Sequence, residues 1–356
     1  MEKLLFVSGS MNQAGQEAFI MNIIRHLNKK YDIHIIVNTK ENFYENELIF
    51  LGVKIHTIQN SQNLLSYLLQ VNKIMRTFGP FKIIHAHCFH FSCFSLIMAK
   101  INRIPIRICH SHNSGIEKKN LFGKLYINLA KKIILFSTNK FLACSYNAGK
   151  TLYGKNFESF TVLENAVDCS LFTPNKEDHS NINVLQIGRF EPVKNHIKTV
   201  NIWKEFTALH PNSKLYFAGT GALMNEMENR VLELGLNDSV VFLGAVKEIY
   251  KTLASIDVVI MPSLFEGIPF ALIEAQASGT QCLVSSNIDK AVDLDIGLVT
   301  FLDLNMNNSI WASNIYNLYL NKVNLDYDYI NTVMKESNYN LENLIKKIEK
   351  IYNEEA

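Results

Sequence analysis

The stretch Ser263-Leu264-Phe265-Glu266-Gly267-Ile268-Pro269-Phe270-Ala271-Leu272-Ile273-Glu274-Ala275 follows an apolar run at 257–261 and changes period from strand to helix. The run reads as a buried strand that stops at Pro262. Glu266 and Gly267 lie in the loop, and Pro269 falls in the first turn of the helix, where its missing N–H costs nothing. A buried strand leading through a glycine loop into a helix is the repeating unit of a parallel α/β sheet. The free N–H groups of that first turn, aided by the helix dipole, form a site for phosphate or another anion. Glu266 stands just before the helix and Glu274 two turns into it, so both carboxylates can face one ligand along its length. Acidic oxygens accept from hydroxyls while N–H groups hold a diphosphate, a combination suited to a sugar nucleotide. Either Glu alone reads equally well as a solvated acid; the strand, loop and helix together favour the site.

Upstream, Gly188-Arg189-Phe190-Glu191-Pro192-Val193-Lys194-Asn195 closes another apolar run, at 183–187. Arg189 offers a planar fork and Lys194 a point charge, which together can clamp a diphosphate and neutralise the charge it gains when a glycosidic bond breaks. Gly219-Thr220-Gly221 follows the run 214–218 and allows a close backbone approach before the next helix. Further strands are expected at 239–243, 258–262 and 281–285, with helices at 222–234 and 270–278. The same rhythm fills the first half: strands at 3–7, 33–37, 82–86, 104–109 and 140–144, and a helix at 17–27 with Phe19, Ile20, Ile23, Ile24 and Leu27 on one face. The polar stretch from Asn175 to Asn181 breaks the pattern and reads as a linker. The expectation is an α/β protein of two Rossmann-like, doubly wound domains facing a central cleft: 1–172, a linker at 173–182, 183–340, and a closing helix at 341–356.

With 356 residues and 48% hydrophobic content the chain can bury two cores, which excludes disorder, and no repeat period supports a solenoid or propeller. Its net charge of +2 is a cancellation: residues 1–170 hold 20 Lys and Arg against 10 Asp and Glu, the remainder 15 against 23. Whatever the basic half meets should be tolerant of, or attracted to, positive charge. The first ten residues lack a secretory apolar core, no run approaches a transmembrane helix, and the six cysteines are scattered. These features read as cytoplasmic, with contact at the inner face of the plasma membrane left open.

The second half resembles the nucleotide-sugar domain of family 4 retaining glycosyltransferases with the GT-B fold. Glu266 and Glu274 match that family's E-x7-E signature, Gly188-Arg189 with Lys194 its G-R-x(4)-K element, and Gly219 with Gly221 its G-x-G turn. The first half is similar through the loop 11–17, through His110-Ser111-His112-Asn113, and through Glu164-Asn165-Ala166-Val167-Asp168. Within the family the likeness is to bacterial enzymes of exopolysaccharide and capsule assembly. The resemblance implies a sugar moved with retention from a nucleotide diphosphate donor, UDP-linked, to a saccharide or lipid-linked saccharide acceptor. It further implies that Glu274 binds the ribose hydroxyls and that Glu266 contacts the donor sugar near the reacting carbon. Arg189 and Lys194 would hold the diphosphate, Gly15 would bring its backbone to the phosphates, and His112 would contact donor sugar or acceptor. Gly188, Gly219, Gly221, Gly267, Ile268, Pro269 and Phe270 complete the expected donor site. The family usually has two glycines where this chain has Ala14 and Gly15, so the methyl of Ala14 bears on how closely that loop approaches the ligand. No metal or other cofactor is implied: Arg189, Lys194 and the helix N-terminus would replace a cation held by an Asp-x-Asp triplet.

The run His85-Ala86-His87-Cys88-Phe89-His90-Phe91-Ser92-Cys93 matches no usual zinc spacing and reads as a strand end lining the cleft. Of His110 and His112, the latter is favoured for function because it sits further into the loop. In 117–141, Leu121, Phe122, Leu125, Tyr126, Leu129 and Ile133 form an apolar stripe among Lys118, Lys119, Lys124, Lys131, Lys132 and Lys140. This pattern equally describes a core helix and a face for an anionic membrane. No interleaved aromatic and basic platform or reader motif points to nucleic acid. The alternatives are a sugar-nucleotide epimerase of the same fold and a two-lobed, non-catalytic sugar-binding protein; the latter has no use for Arg189 and Lys194 beside a carboxylate pair.

Overall fold

The computed structural model describes residues 1–12, 15–40, 42–112, 121–155, 157, 159–173, 181–266 and 268–354. In its first half β1 (Glu2–Val7), β2 (Tyr31–Val37), β3 (Lys54–Thr57), β4 (Ile83–Ala86), β5 (Ile106–Ser111), β6 (Lys140–Ala143) and β7 (Thr161–Val162) alternate with helices. These are α1 (Gly15–Leu27), α2 (Glu45–Phe50), α3 (Leu64–Phe78), α4 (Ser92–Ile101), α5 (Leu121–Ser137) and α6 (Tyr146–Tyr153). The second half carries β8 (Asn183–Ile187), β9 (Lys214–Ala218), β10 (Val240–Gly244), β11 (Val258–Met261), β12 (Gln281–Ser285) and β13 (Val299–Leu302). Its helices are α7 (His196–Thr207), α8 (Met224–Glu233), α9 (Ile249–Leu253), α10 (Phe270–Ala277), α11 (Asn308–Leu320), α12 (Tyr327–Glu336) and α13 (Leu341–Asn353).

The chain divides into two compact units, 1–166 with 341–356 and 167–340. In the first, the strand order is β3-β2-β1-β4-β5-β6-β7; in the second it is β10-β9-β8-β11-β12-β13, and all the strand pairs within each sheet are parallel. Both sheets are doubly wound. Their central strands carry apolar runs because helices cover both faces: Leu4, Leu5, Phe6 and Val7 of β1 are buried, as are all four residues of β11. α1 turns Phe19, Ile20, Ile23, Ile24 and Leu27 onto one face of its sheet. Side chains start two other helices, with Asn63 accepting from the Ser66 N–H before α3 and Ser145 from the Ala148 N–H before α6.

The partition differs from the expected boundaries in two places. Residues 167–172 belong with the second unit: Val167, Cys169 and Phe172 enter its core beside Leu185 and Val259, and the Val167 N–H donates to the Tyr339 carbonyl. Residues 174–180 of the expected linker lie outside the described residues. The closing helix α13 belongs to the first unit, where Leu344, Ile348 and Tyr352 pack with Leu4 and Ile33. Three edge or near-edge strands, β3, β7 and β13, add to those expected. No described helix is long and apolar enough to cross a membrane.

Candidate active site

In each sheet the strand order reverses beside the first strand, between β1 and β4 and between β8 and β11. Parallel sheets bind ligands outside the carboxyl ends of strands at such switch points. The second unit places there the loop 188–195 after β8 and the loop 262–269 after β11. The two loops are tied together. Leu264 N–H donates to the Val193 carbonyl at 2.8 Å, and the Asn195 side chain to the Pro262 carbonyl at 3.0 Å. From beneath, the buried Gln186 amide donates to the Lys194 carbonyl at 2.8 Å. Lys194 Nζ then lies 2.5 Å from Glu266 Oε1, which also accepts from the Ser263 hydroxyl at 3.2 Å. Arg189 is mostly exposed and pairs with Glu191 at 3.1 Å, while Phe190 beside it is buried against His196. The loop thus has a buried anchor in Phe190, an exposed cation in Arg189 and a half-buried one in Lys194.

The glycines explain how the loops fit. Gly219 has φ +148°, and a Cβ there would stand 2.0 Å from the Gly188 carbonyl oxygen; at Gly221, with φ +159°, it would meet the Phe190 backbone at 2.7 Å. At Gly188 a Cβ would press on the Lys194 side chain at 3.1 Å. The close approach anticipated for the 219–221 turn is therefore made, in the first instance, by the 188–190 loop itself.

Pro269 caps α10 instead of entering its first turn: its backbone is extended, with φ −71° and ψ 121°, and its carbonyl accepts from Leu272 N–H. The N–H groups of Phe270 and Ala271, ahead of that bond, lack an acceptor one turn back by helix geometry. Ile268 and Phe270 pack half-buried on the core beneath. Gly267 lies outside the described residues. Glu274, on the same helix, has no ion-pair partner among the described residues, and burial lifts its carboxyl to about 8.

In the first unit Gly15 opens α1, and a Cβ there would meet only Asn165 Nδ2 at 3.7 Å, an ordinary contact. Ala14 and Asn113 lie outside the described residues. His112, half-buried just past β5, offers Nε2 to His87 Nδ1 at 2.8 Å. Burial takes its pKa down to about 3, so it is neutral near pH 7. His110 is wholly buried. The histidine run that matched no metal spacing in sequence is drawn together with β5: nitrogens of His85, His87 and His110 lie within 4.8 Å of one another and could hold a metal ion. Asp-x-Asp does occur in the chain, as Asp293-Leu294-Asp295 and Asp326-Tyr327-Asp328. Asp293 accepts from the Asp295 N–H, closing a turn, and Asp326 precedes α12.

On α5 the described residues that reach the core are Ala130, Ile134 and Ser137. The apolar stripe faces away from it: Leu121, Phe122, Leu125, Tyr126 and Leu129 are exposed, and only Ile133 of the set is half-buried. Lys124 and Lys132 are exposed with them, Lys131 is half-buried, and Lys140 pairs with Glu354. Lys118 and Lys119 lie outside the described residues.

Sequence reasoning missed Gln186, Asn195, Ser263 and His87 as supports for Lys194, Glu266 and His112. Only Asn195 carried a signal: an Asn before a helix tolerates the left-handed conformation it adopts, φ 55° and ψ 44°.

Residues 14–171 match the family model described as Glycosyltransferase Family 4, and residues 170–293 the one described as Glycosyl transferases group 1. The chain is 30% identical over 334 residues to the glycosyltransferase EpsF of Bacillus subtilis (strain 168), covering 88% of this chain and 87% of that protein. It is 26% identical over 237 residues, 62% of this chain and 61% of the relative, to the Escherichia coli UDP-Gal:alpha-D-GlcNAc-diphosphoundecaprenol alpha-1,3-galactosyltransferase. Among solved structures, Anabaena Alr3699/HepE in complex with UDP and glucose superposes with a TM-score of 0.77 over 98% of this chain and 99% of that one, at 18% identity, a likeness of fold.

Proposed function

The chain belongs to glycosyltransferase family 4, and from that premise we propose that it transfers a sugar, with retention and without a metal, from a UDP-sugar to a lipid-linked saccharide in surface polysaccharide assembly. The observation that carries the proposal is the Lys194–Glu266 pair, held at the switch point of the second sheet by two loops tethered to each other. It puts a cation for phosphate and a carboxylate for sugar within one ligand's length of the α10 N-terminus. The E. coli relative named above acts on a UDP-sugar and a diphosphoundecaprenol-linked acceptor, which supports the same substrate classes here.

In the proposed reaction the bond from the anomeric carbon to the diphosphate oxygen breaks. The acceptor hydroxyl forms its bond on the same face, and its proton passes to the departing phosphate, giving UDP and the new glycoside. Lys194 and Arg189 neutralise the charge that grows on the diphosphate, doing electrostatically what a cation would otherwise do. Glu266 offsets positive charge near the anomeric carbon, and Glu274 takes the ribose hydroxyls. Gly15 fits a role in ligand approach, because the protein's own packing leaves room for a side chain there. The exposed apolar and basic face of α5 supports peripheral contact with an anionic membrane, where a lipid-linked acceptor would be met.

Thermal-shift titration and hydrolysis of UDP-glucose, UDP-galactose and UDP-N-acetylglucosamine test the reading. At least one should stabilise the parent by several degrees, and Lys194→Ala and Glu266→Ala should cut hydrolysis at least 100-fold. Failure of every UDP-sugar to bind, or parent-like variants, would refute it.

A further inference from the structure

Four histidines crowd one face of the first sheet. His85 and His87 are two residues apart on and just past β4, His110 and His112 likewise on β5, and Phe6, Phe19 and Tyr352 enclose them. The rings of His87 and His112 stack at 5.1 Å, and those of His85 and His110 at 5.4 Å. Desolvation keeps all four neutral near pH 7, so each ring carries one N–H and one bare nitrogen. The contacts run in two short chains: Tyr352 hydroxyl to His85 Nδ1 at 2.8 Å and on to His110 at 3.3 Å, and His87 Nδ1 to His112 Nε2 at 2.8 Å.

His87 Nε2 is buried without a hydrogen-bond partner among the described residues. The ring's proton therefore has two possible seats of unequal cost. On Nδ1 it makes the 2.8 Å bond to His112. On Nε2 it becomes a stranded buried N–H, the rarer and costlier arrangement. With the proton on Nδ1, His112 Nε2 must accept, which leaves the proton of the neutral His112 ring on its own Nδ1.

We propose that His87 is a positioning residue that locks His112 as the Nδ1–H tautomer, so that His112 meets the substrate as a hydrogen-bond donor to an oxygen and not as a base. The tautomer stands on the first unit's geometry alone; the consequence for catalysis rests on the proposed function. It agrees with a reaction in which the acceptor's proton leaves on the departing phosphate and no side-chain base is required.

The test is ¹⁵N–¹H long-range NMR on the full ¹⁵N-labelled chain, with His87→Phe, His87→Asn and His112→Gln variants. His112 should show a protonated Nδ1 and a bare Nε2, unchanged between about pH 6 and 8. His87→Phe fills the aromatic pocket but donates nothing: His112 should lose its single tautomer and kcat for UDP-sugar hydrolysis should fall about tenfold, while Tm holds. His87→Asn sets an amide N–H near the place of Nδ1 and should recover most of that rate in spite of packing less well. A role in packing alone predicts the reverse order. Protonation of His112 on Nε2, full activity of His87→Phe, or stoichiometric zinc bound through His87 would overturn the inference. If no UDP-sugar binds, the proposed function fails, whereas the tautomer is still decided by the spectrum.

Discussion

At position 274, α10 sets a carboxyl where water solvates it poorly, and the group holds its proton up to about 8 instead of 4.5. An unfolded chain would release that proton near the ordinary value, so between pH 4.5 and 8 the folded state binds more protons than the unfolded one. Stability from this group is therefore full at low pH, declines as pH rises through that window and levels off above it. Glu274→Gln keeps the neutral shape and escapes the decline. Its Tm relative to the parent should climb as pH goes from 5 to 9; parallel Tm curves would sink the idea. If ribose hydroxyls donate to the carboxylate, parent affinity for UDP should also rise toward pH 8, and that of Glu274→Gln should stay flat. The sequence made this acid visible through its spacing from Glu266. Its protonation was not legible, because that depends on how deeply the helix seats it.

Among elements, the three glycines of the second unit's loops and Gly15 of the first separate two reasons for a spacing motif to contain glycine. A Cβ on Gly219 would collide with backbone that cannot yield, whereas one on Gly15 would not collide at all. Gly219→Ala should lose roughly 3 kcal/mol in denaturant unfolding. Gly15→Ala should stay within about 0.5 kcal/mol of the parent and weaken donor binding instead. A Gly219→Ala protein as stable as the parent would contradict the packing seen at the 188–190 loop. The central strands were legible because burial on both faces leaves unbroken apolar runs, as in β1 and β11. β3 and β7 escaped notice for the opposite reason: the exposed or half-buried residues Lys54, Ile55, His56 and Thr57 form no such run, and β7 is two residues long. The loop motifs named candidate side chains, but not the tethers: Gln186 reaches the Lys194 carbonyl only because the loop folds back over the end of β8, and Asn195 meets Pro262 across 67 residues of sequence.

For the whole molecule, the charge division falls close to the boundary between the units, with the basic residues concentrated before residue 170. A basic surface alone has many partners; the placement of α5 narrows them. An amphipathic helix normally buries its apolar stripe, yet α5 buries Ala130, Ile134 and Ser137 and leaves Phe122 81% and Leu125 67% exposed. Stability gains nothing from those side chains in the isolated protein, so replacing them should leave Tm unchanged while altering whatever they touch. Bilayers rich in anionic lipid supply both an apolar interior for Phe122 and Leu125 and charge for Lys124 and Lys132. The full chain should therefore sediment with vesicles of phosphatidylglycerol at low salt and release as salt rises. Phe122→Ser with Leu125→Ser should reduce bound protein at least tenfold through lost apolar burial, with UDP-sugar hydrolysis in solution retained. Binding that survives the double substitution would place the membrane contact elsewhere, and absence of binding at low salt would remove the membrane from the reading altogether.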